Sequence, residues 1–332
     1  MSWVEKFVEM LFPLDIKQLD IDGAFSLKYQ HLPPSIFKYR SVDADGHALK
    51  NLEEDTVWLS DPRSLNDPYD CTCTVDMGRM MQDSLRNLPP QLVAELPSDK
   101  FPLESLGQLS KSADPIGFIS DVLLSEYPSE EREKILNAIR QTVKRVCDGL
   151  VRNNSENLKG AFKLCSFSER LDSILMWSHY AANHKGFCIE YDARKFSMAD
   201  YQSRFLFPVI YTDQLYDATP YMMNFKECGM PNNLHLILAG LLKATDWQYE
   251  KEWRLLFPHG VLKEDCAYPM GSPKAVYLGA QIEGNNQKRI IEICSRRNIP
   301  VKKMRLSATQ YLMEPCAIED ADRVFFSRKY IG

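Results

Sequence analysis

The sequence lacks the features that would place the protein in a membrane or outside the cell. No apolar run among its 332 residues reaches the roughly 20 residues that a transmembrane helix needs. Residues 1–16 carry acids among their apolar residues and have no basic start, which is not the pattern of a secretory signal. The nine cysteines form an odd set without framework spacing, which favours reduced thiols. We therefore expect a cytoplasmic protein with no membrane association.

A strong excess of either charge is also missing. The 40 Lys and Arg residues against 45 Asp and Glu residues give a formal net charge of −5. This balance argues against broad, non-specific binding of nucleic acid, although a local basic cleft stays open. The hydrophobic fraction of 45% and the charged fraction of 26% are those of an ordinary globular protein.

The common catalytic and nucleotide-binding signatures are absent as well. The sequence contains no P-loop, GxGxxG, GxSxG or HExxH motif. Cys71 and Cys73 have no second cysteine pair nearby, and His179, His184 and Cys188 do not have zinc spacing. We predict no metal site. A cysteine nucleophile stays open, although no cysteine has a base close to it in the sequence.

What is present is the pattern of an α+β protein with a mixed central sheet. Strand patterns cover residues 36–40, 56–60, 163–168, 186–191, 207–211, 250–257, 275–278 and 301–306. Helical patterns cover residues 3–11, 130–151, 173–183 and 231–244. The charge-rich character of residues 76–159 predicts an inserted helical lobe. The expected organisation is an N-terminal helical extension at 1–35, the insertion at 76–159, and an α+β core from 36–75 and 160–332.

Residues 164–192 combine a core-like pattern with unusually many polar groups. Ser166 and Ser168 share one face of a predicted strand, where small hydroxyl groups allow a ligand to approach closely. His179 and Tyr180 follow on a predicted helix, and Trp177 is expected in the core. His179 could bond a ligand hydroxyl or titrate near neutral pH, but a structural histidine is the more common alternative. These residues predict one wall of a pocket.

A second polar pattern lies in residues 250–257. If this segment is a strand, Glu250, Glu252 and Arg254 lie on one face, with the two carboxylates roughly 7 Å apart along the strand. Such acids can bond a ribose hydroxyl, stabilise a developing cation or activate a nucleophile. The alternative is a solvated strand face whose Glu–Arg pair contributes little to stability. The apolar residues expected on the opposite face are Trp253, Leu255 and Phe257.

Two further candidates come from the first strands. Asn66 and Asp67, followed by Pro68, form a rigid turn after the second strand, and such a loop is a suitable place for a binding residue. Tyr39 and Arg40 end the first strand, where an arginine can clamp a phosphate or carboxylate bidentately. The structural alternatives are that the acids only cap the turn and that the arginine is exposed to solvent without a ligand.

Three segments resemble the bacterial family called domain of unknown function 2971. They are LSDPRSLNDPYDC (59–71), LCSFSERLDSILMWSHYAANHKGFCIEYD (164–192) and KATDWQYEKEWRLLF (243–257), and they occur in the order of the family pattern. The resemblance extends over about residues 36–306, with 76–160 the least similar part. The family name implies no biochemical activity.

A more distant resemblance is to the ADP-ribosyltransferase architecture. Its arginine-serine-glutamate members have an Arg on an early strand, a Ser-x-Ser strand and a late Glu-x-Glu, as do Arg40, Ser166-Phe167-Ser168 and Glu250-Lys251-Glu252. The resemblance implies that Arg40 holds the NAD phosphates and that Ser166 or Ser168 orders the nicotinamide side. It further implies that Glu252 bonds the nicotinamide ribose and that Glu250 orients the acceptor.

The working hypothesis is an enzyme that consumes NAD, by ADP-ribosyl transfer or by NAD hydrolysis. Its partners would be a small-molecule nucleotide and a protein or nucleic-acid acceptor, and a role as a bacterial defence or toxin effector accompanies this hypothesis. One alternative is a non-catalytic module that senses a ligand or binds a partner. Another is a nuclease that holds a metal ion weakly through Asp67, Asp70, Glu250 and Glu252.

Overall fold

A computed structural model describes residues 1–86, 91, 103–109, 111–228, 232–262 and 264–321. Its helices are α1 Trp3–Leu11, α2 Ile21–Gln30, α3 His47–Glu53, α4 Met77–Arg86, α5 Leu103–Leu109, α6 Pro115–Leu123, α7 Ser129–Gly160, α8 Ile174–Tyr180, α9 Tyr201–Arg204, α10 Thr219–Cys228, α11 His235–Ala239, α12 Gly284–Arg296 and α13 Ile318–Ala321. Its strands are β1 Ile36–Arg40, β2 Thr56–Leu59, β3 Cys73–Thr74, β4 Phe162–Ser168, β5 Phe187–Tyr191, β6 Leu206–Pro208, β7 Ile210–Tyr211, β8 Tyr216–Asp217, β9 Leu242–Lys243, β10 Glu252–Pro258, β11 Cys266–Pro269, β12 Ala275–Leu278, β13 Val301–Leu306 and β14 Met313–Cys316.

Eight strands form a central sheet in the order β14-β13-β12-β5-β1-β4-β10-β6. The pair of β12 and β13 is parallel, while β1, β4, β5 and β10 pair antiparallel with their neighbours. Three two-stranded pairs accompany it: β11 with β2, β3 with β8, and β7 with β9. The predicted α+β class with a mixed central sheet is confirmed.

Strict alternation along β4 and β10 gives the sheet two different faces. Phe167 and Trp253 lie in a core cluster with residues of α3 and α12. Leu164 and Leu256 lie on the other face, in a cluster with residues of α1, α2 and α7. A third cluster packs α8 on β1, with Trp177 fully buried as predicted. The polar residues of β4 and β10 therefore lie among buried apolar neighbours.

The N-terminal helices are anchored to the central sheet. Helix α1 begins with a capping box between Ser2 and Glu5, and its buried Phe7 and Leu11 join the core. In α2, Lys28 is buried and its Nζ donates to three backbone carbonyl groups at 2.8 Å each, those of Ser203, Arg204 and Leu206. Burial lowers the pKa of Lys28 well below its ordinary value. This lysine fixes the chain that enters β6.

Several predicted elements differ from the structure. Residues 250–257 do not form one strand: Glu250 ends a 3-10 helix, Lys251 turns the chain with a left-handed φ of 43°, and β10 begins at Glu252. Segment 207–211 is divided between β6 and β7, because β7 leaves the sheet to pair with β9. Of the strand predicted at 56–60, β2 pairs with β11 outside the central sheet, and Ser60 forms an isolated bridge with Leu164 of β4.

The helix predicted at 231–244 is also wrong in its extent. Residue 231 lies outside the described part, α11 covers His235–Ala239, and β9 follows at Leu242. The apolar run LHLILAGLLKA has no polar stripe, so its periodicity could not separate a short helix from the strand after it.

Helices α4 to α7 lie between β3 and β4, as expected for the inserted segment 76–159. Residues 87–90, 92–102 and 110 of that segment lie outside the described part. The long α7 returns to the core at its end, where Lys159 Nζ donates to the Pro68 carbonyl at 3.2 Å and Ser155 Oγ donates to the Cys73 carbonyl at 3.1 Å. The division into three units stays a prediction.

Within the described ranges, no helix has both the length and the apolar character required to cross a bilayer. The cysteines whose side chains are described are free, and Cys71, Cys165 and Cys188 are among the buried ones. The cytoplasmic location stays a prediction.

Candidate functional site

A split in the central sheet forms the candidate site. Strand β1 pairs with β5 along its whole length, but in its register with β4 the paired position is Phe37 with Ser168. Further along β4, Leu164 pairs with Ser60 and not with a residue of β1. Strands β1 and β4 therefore do not form a continuous ladder, and a gap lies between them beyond the pair of Phe37 and Ser168.

A cavity of about 370 Å³ occupies this gap. Residues from both faces of the sheet contribute to its walls. The structure brings nine of the ten predicted site residues together there: Tyr39, Arg40, Asn66, Ser166, Ser168, His179, Tyr180, Glu250 and Glu252. The tenth, Asp67, lines a neighbouring cavity of about 250 Å³. Ligand pockets are typically about 300–1,000 Å³, so the first cavity is large enough for a small-molecule ligand.

Two cations of β1 form one side of the cavity. Lys38 and Arg40 alternate with Phe37 and Tyr39, and they lie on the sheet face opposite to these two aromatic residues. Lys38 Nζ donates to the Ser166 carbonyl at 3.0 Å. Within the described part of the chain neither cation forms an ion pair. Both are half-buried, which leaves their positive charges available to an anion.

A close backbone contact holds the end of β1 in place. At Gly186 an added Cβ would lie 2.1 Å from the carbonyl oxygen of Arg40. Ala182, Asn183 and His184, which precede it, all have left-handed φ angles between 48° and 66°. This turn links the end of α8 to β5 and brings Gly186 against the carbonyl group of Arg40. Only glycine at position 186 permits this contact.

Tyr39 is directed into the core. Its hydroxyl donates to the Arg170 carbonyl at 2.6 Å, and its ring packs edge-on against Trp177 with centroids 5.2 Å apart. Burial raises the pKa of Tyr39 well above its ordinary value. Tyr39 is one of the predicted ligand-binding residues, but its hydroxyl is already engaged with the backbone.

The two predicted serines differ in their surroundings. Ser168 is fully buried; its Oγ donates to the Glu250 carbonyl at 2.5 Å and accepts from the Arg170 backbone N–H at 3.0 Å. It therefore fixes the turn that carries Glu250. Ser166 lies opposite Arg254 in the register of β4 with β10 and lines the cavity. Its hydroxyl makes no hydrogen bond to any described residue, so it is the serine available to a ligand.

Glu250 is 2% exposed and lies at the inner end of the cavity. Tyr180 donates its hydroxyl to Oε1 at 2.6 Å, and Lys243 Nζ donates to Oε2 at 2.5 Å. Burial raises the pKa of Glu250, and the charge of Glu252 adds to this rise, while Lys243 opposes it. The raised pKa and the contact with Tyr180 suit a group that exchanges protons.

Glu252 has a different environment from Glu250. Its Oε2 accepts from Lys243 Nζ at 2.7 Å, and its Oε1 accepts from Arg254 Nε at 2.8 Å. Burial alone would raise the pKa of Glu252, but Arg254 and Lys243 together outweigh burial and hold the pKa below its ordinary value. The solvated strand face considered as an alternative is wrong, because this carboxylate is buried in an ion pair.

Arg254 joins two of the sequence motifs and is 0% exposed. Its Nη1 and Nη2 donate to the two carboxylate oxygens of Asp70 at 2.7 and 2.6 Å, and Nη1 also donates to the Gly240 carbonyl at 2.8 Å. Planar bidentate pairs of this kind are the strongest charge-assisted hydrogen bonds. The Asn-Asp-Pro loop is thereby fixed to β10.

The buried charges do not cancel. The carboxylates of Asp70, Glu250 and Glu252 contact the two cations Lys243 and Arg254. One negative charge of this group is therefore uncompensated when all five are ionised. The excess lies beside the cavity, where it favours a ligand that carries or develops positive charge.

His179 and Asn66 lie at the outer part of the cavity. Both are exposed, and the His179 ring lies edge-on to Tyr180 with centroids 6.2 Å apart. His179 makes no hydrogen bond to a described residue. His179 can therefore contact a ligand directly, but no described residue forms the hydrogen bond that would activate it as a base.

Sequence reasoning missed Lys243 and Lys38. Lys243 binds both glutamates and lines both cavities. A lysine within the apolar run LLKA was the signal for it, because a buried lysine needs anionic or carbonyl partners for its ammonium group. Lys38 shares a strand face with Arg40, which the alternation of β1 could have indicated.

The acids proposed for a nuclease do not form a metal centre. In the ranges that the structure describes, no group of three or more His, Cys, Asp or Glu residues could hold a metal ion. Asp70 binds Arg254, Glu250 and Glu252 bind Lys243, and Asp67 lies in the other cavity. These contacts leave that alternative without its ligand set.

Comparison with known proteins supports the family resemblance. Residues 176–255 match the sequence profile of a family described as "Protein of unknown function (DUF2971)". The resemblance to the DUF2971 family is therefore supported for this segment. The DUF2971 match begins in α8 and ends in β10, so it includes Tyr180, Lys243, Glu250, Glu252 and Arg254. It does not include β1, the Asn-Asp-Pro loop or β4.

No curated protein and no solved structure matches the chain. The resemblance to ADP-ribosyltransferases therefore gains no support from the comparisons. The name of the DUF2971 family describes no activity, and any function must be argued from the cavity itself.

Glu252 links stability to pH. Its pKa in the folded protein lies below the ordinary value of 4.5, so its stabilising contribution is present above that pH and is lost as the pH falls through the folded pKa. We expect Glu252→Gln to lower the free energy of unfolding at neutral pH, and the difference from wild type to shrink below pH 4.5. Urea unfolding across this range measures it. A difference that stays constant on acidification would contradict the assignment.

Proposed function

We propose that the cavity between β1 and β4 binds a dinucleotide and cleaves its glycosidic bond, with NAD as the substrate. The observation that carries this proposal is the arrangement of charge along the cavity. Two cations without ion-pair partners in the described chain lie at one side, and a buried carboxyl group with a raised pKa lies at the other.

The cationic side suits a pyrophosphate. Lys38 offers a point charge and Arg40 a planar fork of donors, which together match phosphate oxygens. The ligand would then extend through the split toward Ser166 and Tyr180, on the other face of the sheet. An elongated ligand is favoured because the cations and the carboxyl groups approach the cavity from opposite faces.

The acidic side suits the reacting sugar. When the bond between the ribose C1′ and nicotinamide breaks, the electron pair leaves with nicotinamide and positive charge develops on the ribose. The uncompensated negative charge beside Glu250 would stabilise that charge. Water or an acceptor then bonds to C1′ and releases a proton, which Glu250 accepts with Tyr180 beside it.

This proposal changes the roles inferred from the sequence. Glu252 has both oxygens bound by Lys243 and Arg254, so we assign it the positioning of Lys243 and not a direct bond to ribose. Ser168 positions Glu250 by donating a hydrogen bond to the Glu250 carbonyl. We assign the contact with the ligand to Ser166. Arg40 keeps the phosphate role that the resemblance implied. The acceptor decides which reaction occurs: water gives NAD hydrolysis, and a protein or a nucleic acid gives ADP-ribosyl transfer. An effector role in defence or as a toxin is compatible with either reaction.

A second candidate is a binding module that holds a nucleotide without turnover. This candidate is favoured because Glu252 and Arg254 already bind charged partners inside the protein. Acids fixed in internal ion pairs are typical of a structural network. This candidate shares the ligand with the enzyme proposal and differs in the outcome after binding.

Calorimetric titration with NAD, followed by chromatography of the incubated mixture, tests both candidates. The enzyme proposal expects heat of binding and the products nicotinamide and ADP-ribose or an ADP-ribosylated acceptor. Binding with intact NAD would favour the module. An absence of both binding and products would overturn the two candidates together.

Arg40→Ala should weaken NAD binding by about 10- to 100-fold, because it removes a charge-assisted contact with phosphate. The loss should be smaller at high salt, where ionic contacts are screened. Lys288→Ala, at an exposed position on α12, is the matched control for removing a surface cation. Equal affinities of Arg40→Ala and wild type would contradict the phosphate role.

A further inference from the structure

Trp58 lies on strand β2 with its ring directed away from the core. Its neighbours Val57 and Leu59 are 3% and 0% exposed and belong to a core cluster, whereas Trp58 is 43% exposed. The alternation of a strand explains this difference. In the register with β11 the partner of Trp58 is Ala267, whose small side chain can cover little of the indole ring. A large aromatic surface on a fixed strand is therefore within reach of a ligand.

Trp58 lines two adjoining cavities. One is the first cavity of about 370 Å³, and the other is a small cavity of about 10 Å³. Lys38, Arg40 and Trp58 line both of them, so these three residues lie where the cavities meet. The small cavity has room for about one water molecule or for one polar group of a larger ligand.

Two hydroxyl groups in the wall of the small cavity point to a polar ligand group. They belong to Thr56 and Tyr191, and Tyr191 is 1% exposed. Both hydroxyl oxygens are buried and have no hydrogen-bond partner among the described residues. Burial raises the pKa of Tyr191, so its hydroxyl group stays neutral. Buried polar groups without partners cost free energy. A polar group of a ligand would offset this cost, since a hydroxyl can both donate and accept.

The proposed function gives a bound dinucleotide a direction. Its reacting ribose lies at Glu250 and its pyrophosphate at Lys38 and Arg40. The small cavity is lined by both cations but not by Glu250 or Tyr180, so it lies away from the reacting end. The second nucleoside therefore extends from the pyrophosphate toward Trp58.

We propose that Trp58 stacks on the adenine base of the substrate and that Thr56 and Tyr191 bond the polar edge of that base. Nucleobases stack readily on aromatic side chains, and the neighbouring cations suit the phosphates that a nucleotide carries next to its base. The inference rests on the proposed function for the direction of the dinucleotide. It requires binding only and not cleavage.

Calorimetry with ADP and with inorganic pyrophosphate tests the proposal. We expect ADP to bind more tightly, because pyrophosphate has no base to stack. Trp58→Ala should weaken the binding of ADP by about 10- to 100-fold and leave the binding of pyrophosphate unchanged, which also shows that the variant is folded. Equal affinity of wild type for the two probes, or equal affinity of Trp58→Ala and wild type for ADP, would overturn the stacking role.

Further variants separate the contacts. Trp58→Phe keeps an aromatic ring and should bind ADP more tightly than Trp58→Ala does. Tyr191→Phe should weaken ADP by about fivefold and leave pyrophosphate unchanged, because it removes only the hydroxyl. Tyr311→Ala is the matched control, since Tyr311 is fully exposed and lines neither cavity. Unchanged ADP affinity in Tyr191→Phe would overturn the contact with the edge of the base.

The outcomes distinguish this inference from the proposed function. ADP binding that depends on Trp58, without release of nicotinamide from NAD, would support the adenine site and reject the cleavage. Release of nicotinamide together with equal ADP affinities of Trp58→Ala and wild type would support the cleavage and reject the adenine site.

Discussion

Arg254→Met should lower the free energy of unfolding by about 3–5 kcal/mol. The substitution keeps an apolar chain of similar length and removes the guanidinium from between Asp70 and Glu252. Two buried carboxylates then lose their partner, which is the costly way to break a buried ion pair. The carbonyl of Gly240 loses a donor in the same step. Urea or guanidinium unfolding followed by tryptophan fluorescence gives the value.

Arg305→Met is the matched control. Arg305 also lies on a strand of the central sheet and pairs with Glu314 at 3.3 Å, but both side chains are partly exposed. Exposed pairs contribute about 0–1 kcal/mol, so this variant should remain close to wild type. A loss in Arg254→Met no larger than in the control would contradict the role of Arg254 as the link between the Asn-Asp-Pro loop and β10.

Glu250→Gln should reduce NAD cleavage by at least about 100-fold while the fold is retained. The amide cannot accept a proton, and general acid–base groups typically contribute about 10²–10⁴-fold to the rate. Stability should change little, because burial already raises the pKa of Glu250 and so disfavours its charged form in the folded protein. Single-turnover kinetics and circular dichroism give the two values.

Comparison with Glu252→Gln separates chemistry from structure. That variant should lose stability at neutral pH, because the folded state lowers the pKa of Glu252. Its loss of activity should therefore accompany a loss of folded protein. Glu314→Gln, on β14 and away from the cavity, should retain both properties. Full activity in Glu250→Gln would remove this residue from the mechanism.

Local patterns in the sequence predicted the central sheet well. The alternation of β4 placed Cys165 and Phe167 on one face and Ser166 and Ser168 on the other, as observed. The predicted bounds of β12 and β13 are those of the structure. Such strands are readable because each position is either in the core or outside it, with a period of two.

The candidate site depends on contacts that no local pattern contains. Asp70 and Arg254 are 184 residues apart in the sequence. Lys243 reaches Glu250 and Glu252 because α11 is short and β9 follows it, where the sequence predicted a longer helix. Glu250 leaves the strand because Lys251 adopts a left-handed conformation that glycine or asparagine would ordinarily indicate. The convergence of the motifs could be anticipated, but the partners of each carboxylate could not.

The amount of nicotinamide released from NAD is the most direct test of the central claim. We predict that the wild-type protein releases more than one equivalent of nicotinamide per chain and that Glu250→Gln releases almost none under the same conditions. Glu314→Gln, on β14 and away from the cavity, should release nicotinamide as wild type does. No release by the wild-type protein, with or without protein and nucleic-acid acceptors, would contradict glycosidic cleavage at this cavity.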